Sequence, residues 1–220
     1  MCSLISHTID WSGQRSDFAG SDRAARRSAD GVTKWCAVLA ATLLLSYGVS
    51  SLIVAAQTVE QTAVINREYA IKAAFLYHFL TYVEWPPDTF TDSRQPFVIG
   101  IFETDPFGPV LDKIAQTKNA AGRPIEVRRL RSMDDLTSCN ILFVPKSVPA
   151  ATQDAVLAAI RGSHVLSVGE SDDFIDRGGA AQFFLEGNKV RFAFNTDVVA
   201  GTDLKISSKL LSLAKTVPER

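Results

Sequence analysis

Histidine and cysteine are both scarce in this chain, at three each among 220 residues. His7, His78 and His164 are too scattered for their spacing to suggest a metal site. Cys2, Cys36 and Cys139 make neither a CxxC motif nor an even-numbered disulfide framework. Excess charge of either sign is missing too. With 23 Lys/Arg against 24 Asp/Glu the formal charge is −1, which argues against a chain built to grip nucleic acid through a basic stripe. The phosphate-cradling patterns GxGxxG and GxxxxGK do not occur, nor does the GxSxG nucleophile elbow.

What is present is globular in kind, with 46% apolar and 21% charged residues. The first 56 residues stand apart. Met1 to Lys34 is polar, with a basic cluster at Arg23, Arg26, Arg27 and Lys34, and Trp35 to Ala56 carries no charge. Basic residues, an apolar run and then Val54-Ala55-Ala56 are the parts of a secretory signal, with cleavage after Ala56 and Gln57 as the mature N-terminus. The run is also long enough to stay as a signal anchor, and the basic flank stays cytoplasmic in either case. Residues 57–220 are therefore expected in the periplasm, attached to the membrane only through a partner or an uncleaved anchor. Five Lys/Arg and four Asp/Glu fall in the leader, leaving 18 basic and 20 acidic residues, a net −2, and one cysteine, Cys139. One cysteine allows no intrachain disulfide, so stability has to come from the core.

Asn66 is a candidate cap for a helix from Tyr69 to Val83, whose Ile71, Phe75, Phe79 and Val83 fall at helical spacing and predict the buried face. Pro86-Pro87 ends it, and its Lys72, His78 and Glu84 rule out a comfortable membrane span. Pro96–Phe102 and Asn140–Val144 read as buried strands, Ile125–Leu130 as a sheet margin, and His164–Val168 as a further strand. Phe107–Thr117 and Ala150–Arg161 read as helices between them. This alternation predicts a single α/β domain, a largely parallel sheet flanked by helices with right-handed crossovers. Ala181–Leu185 and Val190–Phe194, joined by Glu186-Gly187-Asn188, predict an antiparallel hairpin. A terminal helix is expected from Leu204 or Ile206 to Val217.

Chemistry-bearing groups are few. The acidic loop Glu170-Ser171-Asp172-Asp173-Phe174-Ile175-Asp176 follows a predicted parallel strand, where open α/β sheets bind ligands, but lacks calcium-loop spacing. Ser207-Ser208-Lys209 is not an SxxK pairing. His78 has no acid–base partner in the sequence. No cofactor and no metal is expected. Cys139 reads as a small buried hydrophobe, with a redox or intermolecular thiol as the functional alternative.

Taken in order, the motifs resemble the YfiR-like family of exported proteins. They are Tyr69-Ala70-Ile71-Lys72-Ala73-Ala74-Phe75-Leu76-Tyr77, Val83-Glu84-Trp85-Pro86, Asp105-Pro106-Phe107-Gly108 and Gly122-Arg123-Pro124-Ile125. Next come Cys139-Asn140-Ile141-Leu142-Phe143-Val144, Val165-Leu166-Ser167-Val168-Gly169-Glu170 and Phe174 before Gly178-Gly179. Val190-Arg191-Phe192 through Asn195, and Leu204-Lys205-Ile206-Ser207-Ser208-Lys209-Leu210-Leu211, complete the set. The resemblance implies a periplasmic, non-enzymatic regulator that binds the periplasmic part of an inner-membrane diguanylate cyclase and holds it inactive. Lower cyclic di-GMP and less biofilm would follow, and homodimers are common in the family. Disulfide control, used by some members, needs more than the one mature cysteine unless Cys139 pairs between chains.

A protein of this kind acts through its surface, where aromatics and arginine dominate interface energetics. Tyr77, Tyr82 and Trp85 are the first contact candidates, and Arg191, Asn195, Ser207, Ser208 and Lys209 a second, polar set. Glu170 is the candidate in the acidic loop. Two other readings remain open: a small-molecule sensor or solute-binding domain, and an exported hydrolase relying on His78 or His164.

Overall fold

The structure is a computed structural model, and it describes residues 65–216. The leader, the cleavage point after Ala56 and Val217 lie outside the described residues. Helix α1 occupies residues 65–82 and passes into strand β1, Val83–Glu84. Asn66 is thus already helical and does not cap it, a correction to the sequence reading. Then follow β2 (Phe97–Phe102), α2 (Pro109–Thr117), β3 (Asn119–Ala120), β4 (Arg123–Leu130), β5 (Ile141–Val144), α3 (Ala150–Ala159) and β6 (Leu166–Gly169). The hairpin β7 (Ala181–Glu186) and β8 (Lys189–Phe194) leads to α4 (Thr196–Ala200), β9 (Lys205–Ile206), α5 (Ser208–Leu211) and β10 (Lys215–Thr216).

Eight strands form one sheet in the order β10-β8-β7-β6-β5-β2-β4-β3. From β4 through β7 every pairing is parallel, and β7–β8 is antiparallel in the register Phe183↔Phe192, as the sequence pattern predicts. Gly187 has φ +59 at the first turn position, which a type II′ hairpin requires. β1 and β9 form a separate antiparallel ribbon that ties the end of α1 to the start of α5.

Strand β2 lies between β4 and β5 and is buried along its length. Successive side chains point to opposite faces, so it feeds two cores. Phe97, Ile99 and Ile101 join α1 residues Leu76, Phe79 and Leu80 on one face. Val98 and Phe102 join Val156, Leu157 and Phe174 on the other. Gly169 and Gly179 enclose the Phe174 ring, since a Cβ on either would lie 2.3 or 2.2 Å from a ring carbon. That close approach is the physical content of the Phe174…Gly178-Gly179 motif.

Two further expectations need correcting. The buried face of α1 is Lys72, Ala73, Leu76, Phe79 and Leu80, continued by Val83 in β1, while Ile71 and Phe75 flank it half-buried. An apolar-spacing rule passed over Lys72, whose charge is met by carboxylates inside the fold. The terminal helix is present but is one turn, Ser208–Leu211. Lys205–Ile206 are held extended by β1, Ser207 caps the turn, and the chain then rejoins the sheet beside β8.

Candidate functional site

Connections leave β2 toward β4 on one side and reach β5 and β6 on the other, so the crevice beyond their carboxyl ends is the usual ligand position of such a sheet. Here it is filled from within. Lys72 on α1 places Nζ 2.5 Å from Glu170 Oε2, just past β6, and 2.5 Å from Glu68 Oε1 one turn earlier on α1. Glu170 Oε1 accepts from Tyr69 OH at 3.1 Å and from the Lys146 N–H at 3.1 Å, just past β5. Tyr69 also packs edge-on against Phe107 with centroids 5.6 Å apart. Burial, and then the negative charge of Glu170, raise the Tyr69 phenol above its ordinary range, so it stays a proton donor. Glu170 is therefore a buried acceptor with all its partners internal. Of the remaining loop acids, Asp173 is paired with Arg177 at 2.6 Å. Among the described residues no group of three or more His, Cys, Asp and Glu could hold a metal ion.

A second arrangement lies at the other end of α1. Ser207 N–H donates to the Tyr82 carbonyl at 3.0 Å, and Ser207 Oγ accepts from Leu210 N–H at 3.3 Å, so the α5 turn starts beside the end of α1. Lys209 then lies over Tyr82, with Nζ 3.4 Å from its OH and 5.1 Å from its ring centroid. His78 stacks on Tyr82 with centroids 6.0 Å apart and rests 5.6 Å from Tyr77. Tyr77 OH reaches the Asn119 carbonyl at 3.4 Å. His78, Ser208 and Lys209 are exposed, and Tyr77 and Tyr82 half-buried. Tyr77 and Tyr82 of the first candidate set and Ser207, Ser208 and Lys209 of the second thus share one patch of aromatic faces crossed by an ammonium, a cation–π arrangement, whereas Trp85, Arg191 and Asn195 are not part of it.

A sequence model described as YfiR/HmsC-like matches residues 69–215. The chain belongs to the YfiR/HmsC-like family. A search of curated proteins returned no match. The matched span begins at Tyr69, in the buried cluster, and ends beyond Lys209, so apart from Glu68 both arrangements lie in the family's domain.

Other candidates of this YfiR/HmsC-like chain have local partners. Trp85 is half-buried, packs edge-on against Phe97 at 5.2 Å and donates Nε1–H to the His164 carbonyl at 3.1 Å. Arg191 is exposed on β8 and pairs with Glu186 at 3.4 Å. Asn195 caps α4, its Oδ1 accepting from Val198 N–H at 3.1 Å. Cys139 is buried and free, its thiol donating to the Leu136 carbonyl at 3.1 Å. Burial pushes that thiol up to about 12.

His164 has Thr89 Oγ1 at 3.3 Å from Nδ1 and Asp203 Oδ2 at 3.8 Å from Nε2. The carboxylate stands outside hydrogen-bond reach and is 82% exposed, so this is no assembled base relay. Sequence reasoning missed Glu68, Tyr69 and Lys72 as a unit and His78 as part of the patch. The i, i+4 spacings of Glu68–Lys72 and His78–Tyr82 carried both signals. Among the described residues no helix is long and apolar enough to cross a membrane.

Proposed function

We propose that this protein is a periplasmic, non-enzymatic regulator that represses an inner-membrane diguanylate cyclase by direct contact, lowering cyclic di-GMP and biofilm formation. The observation that carries the reading is the family match across residues 69–215. The basic cluster and uncharged run ahead of that span, read as an export signal, support the compartment. The patch of Tyr77, His78, Tyr82 and Lys209 supports contact-based action, because aromatic groups beside a cation give binding energy without needing a cavity.

The partner in this reading is the periplasmic part of the cyclase. Reconstituting that cyclase in membranes and adding the protein tests it. GTP conversion should fall with a saturable dose dependence, and conversion that stays constant at saturating protein overturns the reading.

A further inference from the structure

A cavity of about 230 Å³ opens between α3, β6, the loop after β6 and α4. Leu157, Ile160, Val165 and Val198 give it apolar walls. Roughly 150 Å³ of apolar cavity is enough to take up benzene, so this one has room for a six-membered ring with a small head group.

Polar groups on the lining set the chemistry of that head. Ser167 is buried and its Oγ accepts from Ala180 N–H at 2.9 Å, while its own O–H has no acceptor among the described residues. Arg177 is fixed by Nε to Asp173 at 2.6 Å and by Nη1 to Asp154 at 2.7 Å, and its Nη2 donates to nothing among the described residues. Arg161 is exposed and joins no ion pair among the described residues. Asp197 is the one carboxylate on the lining. Asp154 and Asp173 hold Arg177 through Nη1 and Nε from outside the lining, and the groups left unspent toward the cavity on Ser167, Arg161 and Arg177 Nη2 are donors.

We propose that this cavity binds a small apolar carboxylate of about benzoate size. The ring would rest on the walls from α3, β6 and α4, and the carboxylate would accept from Arg161, Arg177 Nη2 and the Ser167 hydroxyl. A guanidinium fixed by its own counterions loses little freedom on binding, which favours affinity. Binding is read on the purified protein and does not depend on the regulatory reading.

The test is titration of the protein, purified as the cell produces it, with sodium benzoate, benzyl alcohol and sodium acetate. Melting temperature and the amide resonances of Gly162, Gly178 and Gly201 are followed, all three residues lining the cavity. Benzoate should saturate, shift those amides and raise the melting point, with benzyl alcohol and acetate at least tenfold weaker. Arg161→Gln, at an exposed position outside any ion pair among the described residues, should weaken benzoate at least fivefold. Gly201→Leu should abolish binding while the protein still melts cooperatively, because a Cβ there meets nothing closer than 3.4 Å and the longer side chain fills the cavity. No saturation by 10 mM benzoate, equal binding of acetate, shifts confined to other amides, or indifference to both substitutions would each overturn the proposal.

Discussion

Lys72 and Glu170, ninety-eight positions apart, meet at 2.5 Å with both side chains almost wholly excluded from solvent. Their pairing fastens α1 to the carboxyl end of the parallel sheet, and Tyr69 and the Lys146 amide complete the shell around the same carboxylate. A buried pair of this kind offers little net stability over an apolar replacement, but breaking it is costly.

Lys72→Met is therefore expected to cost about 3–5 kcal/mol, because it strands the Glu170 carboxylate in the interior. Lys72→Met combined with Glu170→Gln should recover much of that loss, since Gln keeps an acceptor for Tyr69 and Lys146. Urea denaturation of both variants checks this. A double variant no more stable than Lys72→Met alone contradicts the proposed cause.

Cys139 should behave as an inert core residue. In the native protein it should resist thiol reagents and react only on unfolding, which the rate of labelling with and without denaturant reports. The sign of its pH dependence follows from burial. The folded thiol is held up to about 12 from the ordinary 9.0, so above pH 9 the unfolded state loses its proton while the folded state keeps it. The thiol's contribution to stability is full below pH 9 and declines as pH rises toward 12, by up to about 1.4 kcal/mol per pH unit. Relative to Cys139→Ala, the native protein should lose stability between pH 9 and pH 10.5. A constant difference over that window contradicts it.

Arg129 bridges Asp105 at 2.8 Å and Asp112 at 2.6 Å, and it is the hydrogen bond from Arg129 that lowers the Asp112 carboxyl. A lowered carboxyl stabilises the fold above its unfolded value and loses that contribution as the solution is acidified. The network is partly exposed, so Arg129→Ala should cost no more than about 1 kcal/mol. The cost should shrink in 1 M NaCl, as melting curves at two salt concentrations would show.

Much of this architecture could be read from the sequence because its signals are local. β2 and β5 are unbroken apolar runs, Gly187-Asn188 sits at the hairpin turn, and each element type follows from its own residues. Less legible was whatever depended on partners distant in the chain. The buried face of α1 is rotated toward Lys72 because a carboxylate from the loop after β6 compensates its charge. The terminal helix shrinks to one turn because β1 captures Lys205–Ile206. At the candidate patch, Tyr77, Tyr82 and Lys209 were visible singly, but the β1–β9 ribbon that brings α5 against α1 has only two residue pairs and no pattern to announce it.

Substitutions in that patch should separate binding from folding. Tyr82→Ala with Lys209→Glu removes the ring and inverts the charge above it, at a half-buried position on the margin of the core and at an exposed one. The double variant should melt within a few degrees of the native protein yet bind the cyclase's periplasmic part at least tenfold more weakly. Unchanged affinity, measured by titration calorimetry, would place the contact elsewhere on the surface.

The central claim is repression of a membrane diguanylate cyclase, and cellular cyclic di-GMP tests it most directly. The nucleotide would be quantified by mass spectrometry in cells expressing the cyclase, with this protein present, deleted and restored. Deletion should raise cyclic di-GMP severalfold, and restoring the native chain should return it to its starting level. A level that does not change on deletion contradicts the claim.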